Sequence, residues 1–289
     1  MTQILIAGCG YIGERVARIF MEKGADVTCL VRSPDRQARL SVDGLNVATC
    51  SFDDPATIPR LDSAGRTIFY FVPPPGGGIT DTRARNFCRQ LALSGAPAKI
   101  IYMSATSVYS EVKGGVVTES SPTDPASAMG KRRLDAETAF MQYGATSGAS
   151  VVILRVSGIY GPGRLPLMQI RQGQPVLREE EAGPSNRIHA DDLARICAAA
   201  AAKGRDGDIF NVSDGNASSM TSYFNACADA LGEPRQPQVT MEEARKTMSP
   251  LMLSYVSESR IVDNSRMLRE LGITLQYPTY CEGLAASMR

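Results

Sequence analysis

Gln3 to Ala7 (QILIA) is a short, β-branched apolar run, and Gly8-Cys9-Gly10-Tyr11-Ile12-Gly13 follows it without a break. Beyond the glycines, Ile12, Val16, Ile19 and Phe20 recur at helical spacing until Gly24, a natural helix stop. Asp26 to Val31 (DVTCLV) then reads as the next strand. Further apolar runs over 45–49, 67–72 (TIFYFV), 99–103 (KIIYM) and 208–212 predict strands. Helical spacing predicts helices over 191–203, 222–231, 242–248 and 264–271. Strands alternating with helices define an α/β, Rossmann-type, doubly wound parallel sheet, with ligands expected at the carboxyl ends of its strands.

A G-x-G-x-x-G turn between a strand and a helix has a physical reading. Gly8 permits the tight turn, Gly10 lets backbone approach a pyrophosphate, and Gly13 lets helix and strand pack closely. The backbone N–H groups of Tyr11 and Ile12, in the first turn of the helix, then face an anion. The second strand ends in Arg32-Ser33, where an NAD-specific site would carry an acid for the ribose 2′-hydroxyl. A guanidinium and a hydroxyl suit a 2′-phosphate, so the pattern favours NADP over NAD, although an exposed Arg opening the next helix would read alike. Val72, at the end of the fourth strand, borders the same edge. The run Pro73-Pro74-Pro75-Gly76-Gly77-Gly78 after it is a stiff rod followed by a hinge, either a loop over the cofactor or a connector to the helix that begins near Asp81.

Composition narrows the function classes. The 289 residues are 43% hydrophobic, enough for a sizeable core, and Lys+Arg (31) nearly balance Asp+Glu (30). That balance supplies no field for nucleic acid or an anionic membrane. Seven scattered cysteines without a C-x-x-C pair, and one histidine, argue against a disulfide framework and a metal site. No leader or membrane span is evident, and the expectation is a cytoplasmic protein, monomer or homodimer, whose partners are a small-molecule substrate and a dinucleotide.

Other stretches carry a resemblance: Ser104-Ala105-Thr106-Ser107-Val108-Tyr109, ASAMGKRRLDAE (126–137), LRVSGIYGPG (154–163), NRIHADDLARI (186–196), FNVSDG (210–215) and YPTYCEGL (277–284). In this order, nearly end to end, they resemble the extended short-chain dehydrogenase/reductase family, the NAD-dependent epimerase/dehydratase group. The resemblance implies a Rossmann domain (1–157 plus 188–212) and a smaller C-terminal α+β substrate-binding part (158–187 plus 213–289). It also implies a Tyr and a Lys four residues apart on one helix face, with a Ser or Thr at the preceding strand end. The tyrosine moves a proton while hydride moves to or from nicotinamide, and the lysine lowers its pKa and holds the ribose.

Here the Tyr position falls on Met129 and the Lys position on Arg133. Methionine transfers no proton; arginine can bond a ribose hydroxyl but cannot act as a base. Lys131, rotated about 200° from Met129, points to solvent. The strand-end residue falls on Ala105 or Ser104 depending on the direction of counting, so Ser104 and Thr106 bracket the place. Tyr160, in the loop that the resemblance sets near nicotinamide, is a further proton donor or else a packing residue. Tyr109 and Lys113 form a literal Y-x-x-x-K, but Gly114-Gly115 break any helix there. Arg187 and His189 border the substrate region, with Arg187 suited to an anion, His189 either a pocket residue or a satisfied junction residue, and Asp191 a helix N-cap.

Two functions fit: an NADP(H)-dependent, epimerase/dehydratase-like oxidoreductase with an atypical proton relay, or a non-catalytic NADP(H)-binding sensor. The lean is to the enzyme, since a sensor has little use for a full substrate part. Nucleic-acid binding through Lys131-Arg132-Arg133 is disfavoured by the adjacent Asp135 and Glu137.

Overall fold

The computed structural model describes residues 2–288. Seven parallel strands form the central sheet: β1 (Gln3–Ala7), β2 (Asp26–Val31), β3 (Asn46–Thr49), β4 (Thr67–Tyr70), β5 (Lys99–Ala105), β6 (Ser150–Val156) and β7 (Ile209–Val212). Their order is β3-β2-β1-β4-β5-β6-β7. The reversal beside β1 is the switch point at which a doubly wound sheet opens a crevice. Ala7 lies opposite both Leu30 and Tyr70, so the glycine turn and the ends of β2 and β4 share one edge.

Alternation along β1 divides the core. Ile4 and Ile6 face one apolar layer with α1 (Tyr11–Glu22), Leu40 of α2 (Pro34–Val42), and Leu193 and Ile196 of α5 (Ala190–Lys203). Leu5 and Ala7 face the other, with Phe87 of α3 (Thr82–Ala92) and Phe140 of α4 (Ala128–Ser147). The predicted strands and helices are all present, with no end moved by more than two residues. Met267 and Leu271 pack into the sheet's own core, so the helix Ser265–Leu271 rests on the Rossmann body although its sequence lies far downstream.

A smaller apolar cluster gathers Tyr160, Ile170 and Val176 with Tyr223, Phe224 and Cys227 of α6 (Met220–Leu231) and Leu284 of α7 (Tyr280–Ser287). It stands beyond the carboxyl ends of β5 and β6 and walls one side of the crevice. Among the described residues no helix is long and apolar enough to cross a membrane.

One buried polar group fastens α4 to the sheet. Glu137 accepts two bonds from Arg155 of β6, at 3.1 and 2.8 Å, and a third from the Ser104 hydroxyl at 2.6 Å. All three residues are more than nine-tenths buried. Removing one partner of such a pair leaves a charge uncompensated in the core, so Arg155→Met should cost about 3–5 kcal/mol of stability. The check is a urea melt, and a change of less than about 1 kcal/mol would show that this triad does not fasten the helix.

Candidate active site

The glycine turn shows why each glycine is there. Gly8 has φ +86°, and a Cβ on it would lie 2.9 Å from the Val72 nitrogen. A Cβ on Gly13 would lie 2.9 Å from the Gly8 oxygen. On Gly10 the nearest protein atom would be 3.8 Å away, so nothing in the chain forbids a side chain there. What glycine keeps open at Gly10 is the cleft itself, which fits a pyrophosphate resting on the backbone. Helix α1 also begins without a side-chain cap, whereas Ser33, Asp81, Ser127 and His189 cap α2 to α5. Its first N–H groups therefore remain free for an anion.

The turn is held from two sides. Leu30's carbonyl accepts from both Gly8 and Cys9 at 3.1 Å, while Arg36 Nε donates to the Cys9 carbonyl at 2.7 Å. Arg36 also bonds Glu14, and the Arg39 guanidinium, with Arg18 and Arg36 beside it, holds that carboxyl at a pKa of about 2. The Tyr11 hydroxyl donates to the Pro162 carbonyl at 2.9 Å, and its ring packs with the guanidinium groups of Arg15 and Arg164 at 4.0 and 4.7 Å. The first helix is thereby tied to the loop that leads into the C-terminal part.

Two cavities meet here. One of about 420 Å³ is lined by the turn from Gly8 to Gly13, Arg32, Val72, Arg83 and Arg133. The other, about 460 Å³, is lined by Thr106, Ser107, Met129, Tyr160, Arg187 and neighbours. Ile159 and Arg164 line both, so the cavities adjoin. The start of α4 spans their boundary: Met129 faces the second cavity, and Arg133, one turn on, faces the first. Arg133 is steadied by a 3.0 Å bond from Nη1 to the Met103 carbonyl. The basic triplet thus divides three ways, because Lys131 is exposed while Arg132 is buried and donates to the Gly78 carbonyl at 2.6 Å.

Several candidate residues are placed elsewhere. Ser104 turns into the core toward Glu137 and lines neither cavity. Ser33 also lies outside them, its oxygen accepting from the Arg36 N–H as the cap of α2. Tyr160 lines the second cavity, but its hydroxyl donates to the Thr279 carbonyl at 3.3 Å and abuts Gly283; burial pushes its pKa up. His189 lines neither cavity: its Nδ1 accepts from the Asp191 N–H at 3.2 Å, its Nε2 lies 3.3 Å from Ser287 Oγ, and its ring packs tilted against Tyr277 with centres 4.0 Å apart. The cap of α5 is therefore His189, two residues before the expected Asp191, which instead pairs with Arg15 at 2.7 Å. Tyr109 donates to Asn211 at 2.6 Å, and Lys113 lies in the strand Lys113–Val117, so their Y-x-x-x-K spacing never shares a helix face.

Arg187 does face the second cavity. Its guanidinium lies 4.1 Å from the Tyr223 ring centre and bonds Ser218 at 2.9 Å, leaving further donors over. Arg36, Arg83, Ser107 and Arg164 also line these cavities, and the sequence had not singled them out. Cations just past β2 and at the start of α3 were the available signal for the first two. Ser107 gave none, since its significance is a buried hydroxyl without a partner on the cavity wall.

The fold and the glycine turn define a dinucleotide-binding, Rossmann-type α/β protein. The model of the NAD dependent epimerase/dehydratase family matches residues 4–213, and the chain belongs to that family. It is 25% identical to Protein YeeZ of Escherichia coli (strain K12) over 290 aligned positions, covering 96% of this chain and 97% of that one. A functionally unknown conserved protein from Silicibacter pomeroyi DSS has a solved structure at TM-score 0.84 and 27% identity, covering 100% of this chain and 98% of that one. MoeE5, solved in complex with UDP-glucose and NAD, shares the fold at TM-score 0.75 and 21% identity, covering 99% and 97% of the two chains.

Behind Arg187 lies a titrating group. Asp214 donates its N–H to the Arg187 carbonyl at 2.7 Å, its Oδ2 has no partner among the described residues, and burial pushes its carboxyl up to about 7. The folded state therefore binds this proton more tightly than the unfolded chain, whose Asp titrates near about 3.9. The stabilisation is full below that value and is lost as pH rises through about 7. Asp214→Asn should remove a fall in melting temperature that the natural chain shows between about pH 4 and 7. Equal pH slopes for the two proteins would contradict the assignment.

Proposed function

We propose that the chain is an NADP(H)-dependent, epimerase/dehydratase-like oxidoreductase acting on a small anionic substrate, without the tyrosine and lysine pair of its family. The observation that carries this is the span of α4, which sets Met129 on the wall of one cavity and Arg133 on the wall of the other. That is the arrangement needed if a substrate carbon is to meet a nicotinamide across the boundary. A bound nicotinamide supplies or accepts hydride; the chain's residues must bind, orient and manage the proton.

Each of those tasks has a candidate. Arg187 and Arg164, neither of which meets a carboxylate among the described residues, give the second cavity an excess of positive charge, since Arg260 is matched there by Glu258 at 3.2 Å. An anionic group is what such a wall would hold. Arg133 would bond the cofactor ribose as a fixed cation. Without a phenol at Met129, Thr106 and Ser107, the latter with a hydroxyl that has no partner among the described residues, are candidates on that wall to donate to a substrate oxygen. Arg32 carries the preference for NADP: it lines the first cavity, no acid stands at the end of β2, and Asp53, the acid that lines the same cavity, is paired with Arg83.

The second reading is a non-catalytic NADP(H)-binding sensor, favoured by Met129, a residue with no proton to give. The two part on turnover. NADPH oxidation over a panel of carbonyl compounds and nucleotide sugars, lost on Arg187→Met, supports the enzyme; tight NADPH binding without hydride exchange supports the sensor. Arg32→Glu should weaken NADPH binding about tenfold or more while changing NADH binding little. Met129→Tyr should leave the dissociation constant for NADPH unchanged, and loss of binding would count against the register.

A further inference from the structure

Among the described residues that line the cofactor cavity, Asp53 is the single acid, set against five arginines. Packing fixes where it stands. Phe52, the residue before it, is buried with its ring centre 5.7 Å from that of Phe87 on α3, and its carbonyl accepts from Asn86 of the same helix at 3.0 Å. Arg83 lies in the first turn of α3. Its Nε donates to Asp53 Oδ1 at 2.7 Å and its Nη2 to Oδ2 at 2.8 Å, while its Nη1 donates to the carbonyls of Pro73 and Pro74. The acid of the cavity is thus gripped at both oxygens by one guanidinium.

Stability is a poor reason for this pair. The Asp53 side chain is 49% exposed, and ion pairs open to water contribute little to folding. What the pair does change is one corner of the cavity. Strands β2 and β3 run side by side with Val31 opposite Thr49, and the Cys50 N–H donates to the Val31 carbonyl at 2.9 Å. Arg32 directly follows Val31, and Asp53 stands a few positions past Cys50, so both enter the cavity from neighbouring strand ends. The Arg83 guanidinium holds the Asp53 carboxyl below the usual carboxylate range, which leaves it charged at neutral pH. Released from Arg83, that charge would have two courses: it could take the Arg32 guanidinium, or it could face a 2′-phosphate as a like charge. Either course weakens NADP relative to NAD.

We infer that Arg83 determines cofactor specificity: by occupying both oxygens of Asp53 it keeps Arg32 available to the 2′-phosphate of NADP. This role rests on the reading that Arg32 meets NADP, and it adds the reason why an acid on the same wall does not reverse the choice. The planar fork suits the task. All three guanidinium nitrogens are committed, two to the carboxylate and one to backbone carbonyls, so Arg83 cancels the charge without competing for the phosphate itself. A lysine would supply the charge but not the two-point hold.

The test measures dissociation constants for NADPH and NADH by calorimetry in the natural chain, in Arg83→Gln, in Arg83→Lys, and in Arg83→Gln combined with Asp53→Asn. Arg83→Gln frees the carboxylate and should lower the preference for NADPH over NADH about five- to tenfold, nearly all of it through weaker NADPH binding. Arg83→Lys, with the charge but not the fork, should fall between that variant and the natural chain. Adding Asp53→Asn to Arg83→Gln removes the freed charge and should restore the preference to within about twofold of the natural one. An equal loss for both dinucleotides, or a preference that stays low after Asp53→Asn, overturns the inference, because a lost anchor on Pro73 and Pro74 would act on both cofactors alike and would not be repaired by removing a carboxylate. A natural chain whose preference for NADPH survives Arg83→Gln intact overturns the role of Arg83 alone. A natural chain that prefers NADH, or binds neither, overturns the NADP reading and the role of Arg83 with it.

Discussion

The carbonyl of Leu30 accepts the N–H groups of both Gly8 and Cys9, and the rest of the site depends on that shared bond. It fixes where β1 stops and how sharply the chain turns. Val72 presses from the opposite side, and together they leave Gly8 a conformation with positive φ. From there α1 can start only in one direction, with its uncapped end on the cavity. Arg36, on α2, takes the next carbonyl, so two helices and two strands meet on three residues of backbone.

This economy explains which parts of the molecule were legible in the sequence. The glycine turn was, because its requirements are imposed by backbone geometry, which restricts residue type at fixed offsets. So was the alternation of strands and helices, whose periodicity is a property of neighbours along the chain. The direction of a side chain is different. Ser104 reads as a strand-end hydroxyl until Glu137 is seen to take it, and Tyr160 as a donor until Thr279 does. His189 reads as a pocket residue until its two nitrogens are found committed, one to Asp191 and one near Ser287. An imidazole is also outside the usual cap set, so the start of α5 was expected at the acid instead. Ser107 shows the opposite failure: its interest lies in having no partner, and an absence of contacts has no signature in a sequence.

The basic triplet on α4 joins these levels. Helical rotation alone separates Lys131 from Arg133, and that division was readable. What rotation does not disclose is that Arg132 reaches a carbonyl 54 positions back, at Gly78. Arg83 meanwhile holds the carbonyls of Pro73 and Pro74, at 3.0 and 3.4 Å. The stretch of three prolines and three glycines is therefore moored at both ends, and its freedom is confined to the glycines between.

The commitments of His189 also bear on how the chain is made. The sheet is complete once β7 has been synthesised, at residue 212. Yet the helix that supports its outer face begins at a residue whose other nitrogen rests beside Ser287, and Asp192 in that first turn accepts the N–H groups of Gln276 and Tyr277, each at 2.8 Å. During synthesis the Rossmann body thus emerges with one helix start exposed, the two Asp192 oxygens still facing water, and a gap that residues 276–287 later seal. A nascent chain released early would carry a sheet of the right topology with an open seam beside it, the kind of surface that chaperones and proteases inspect.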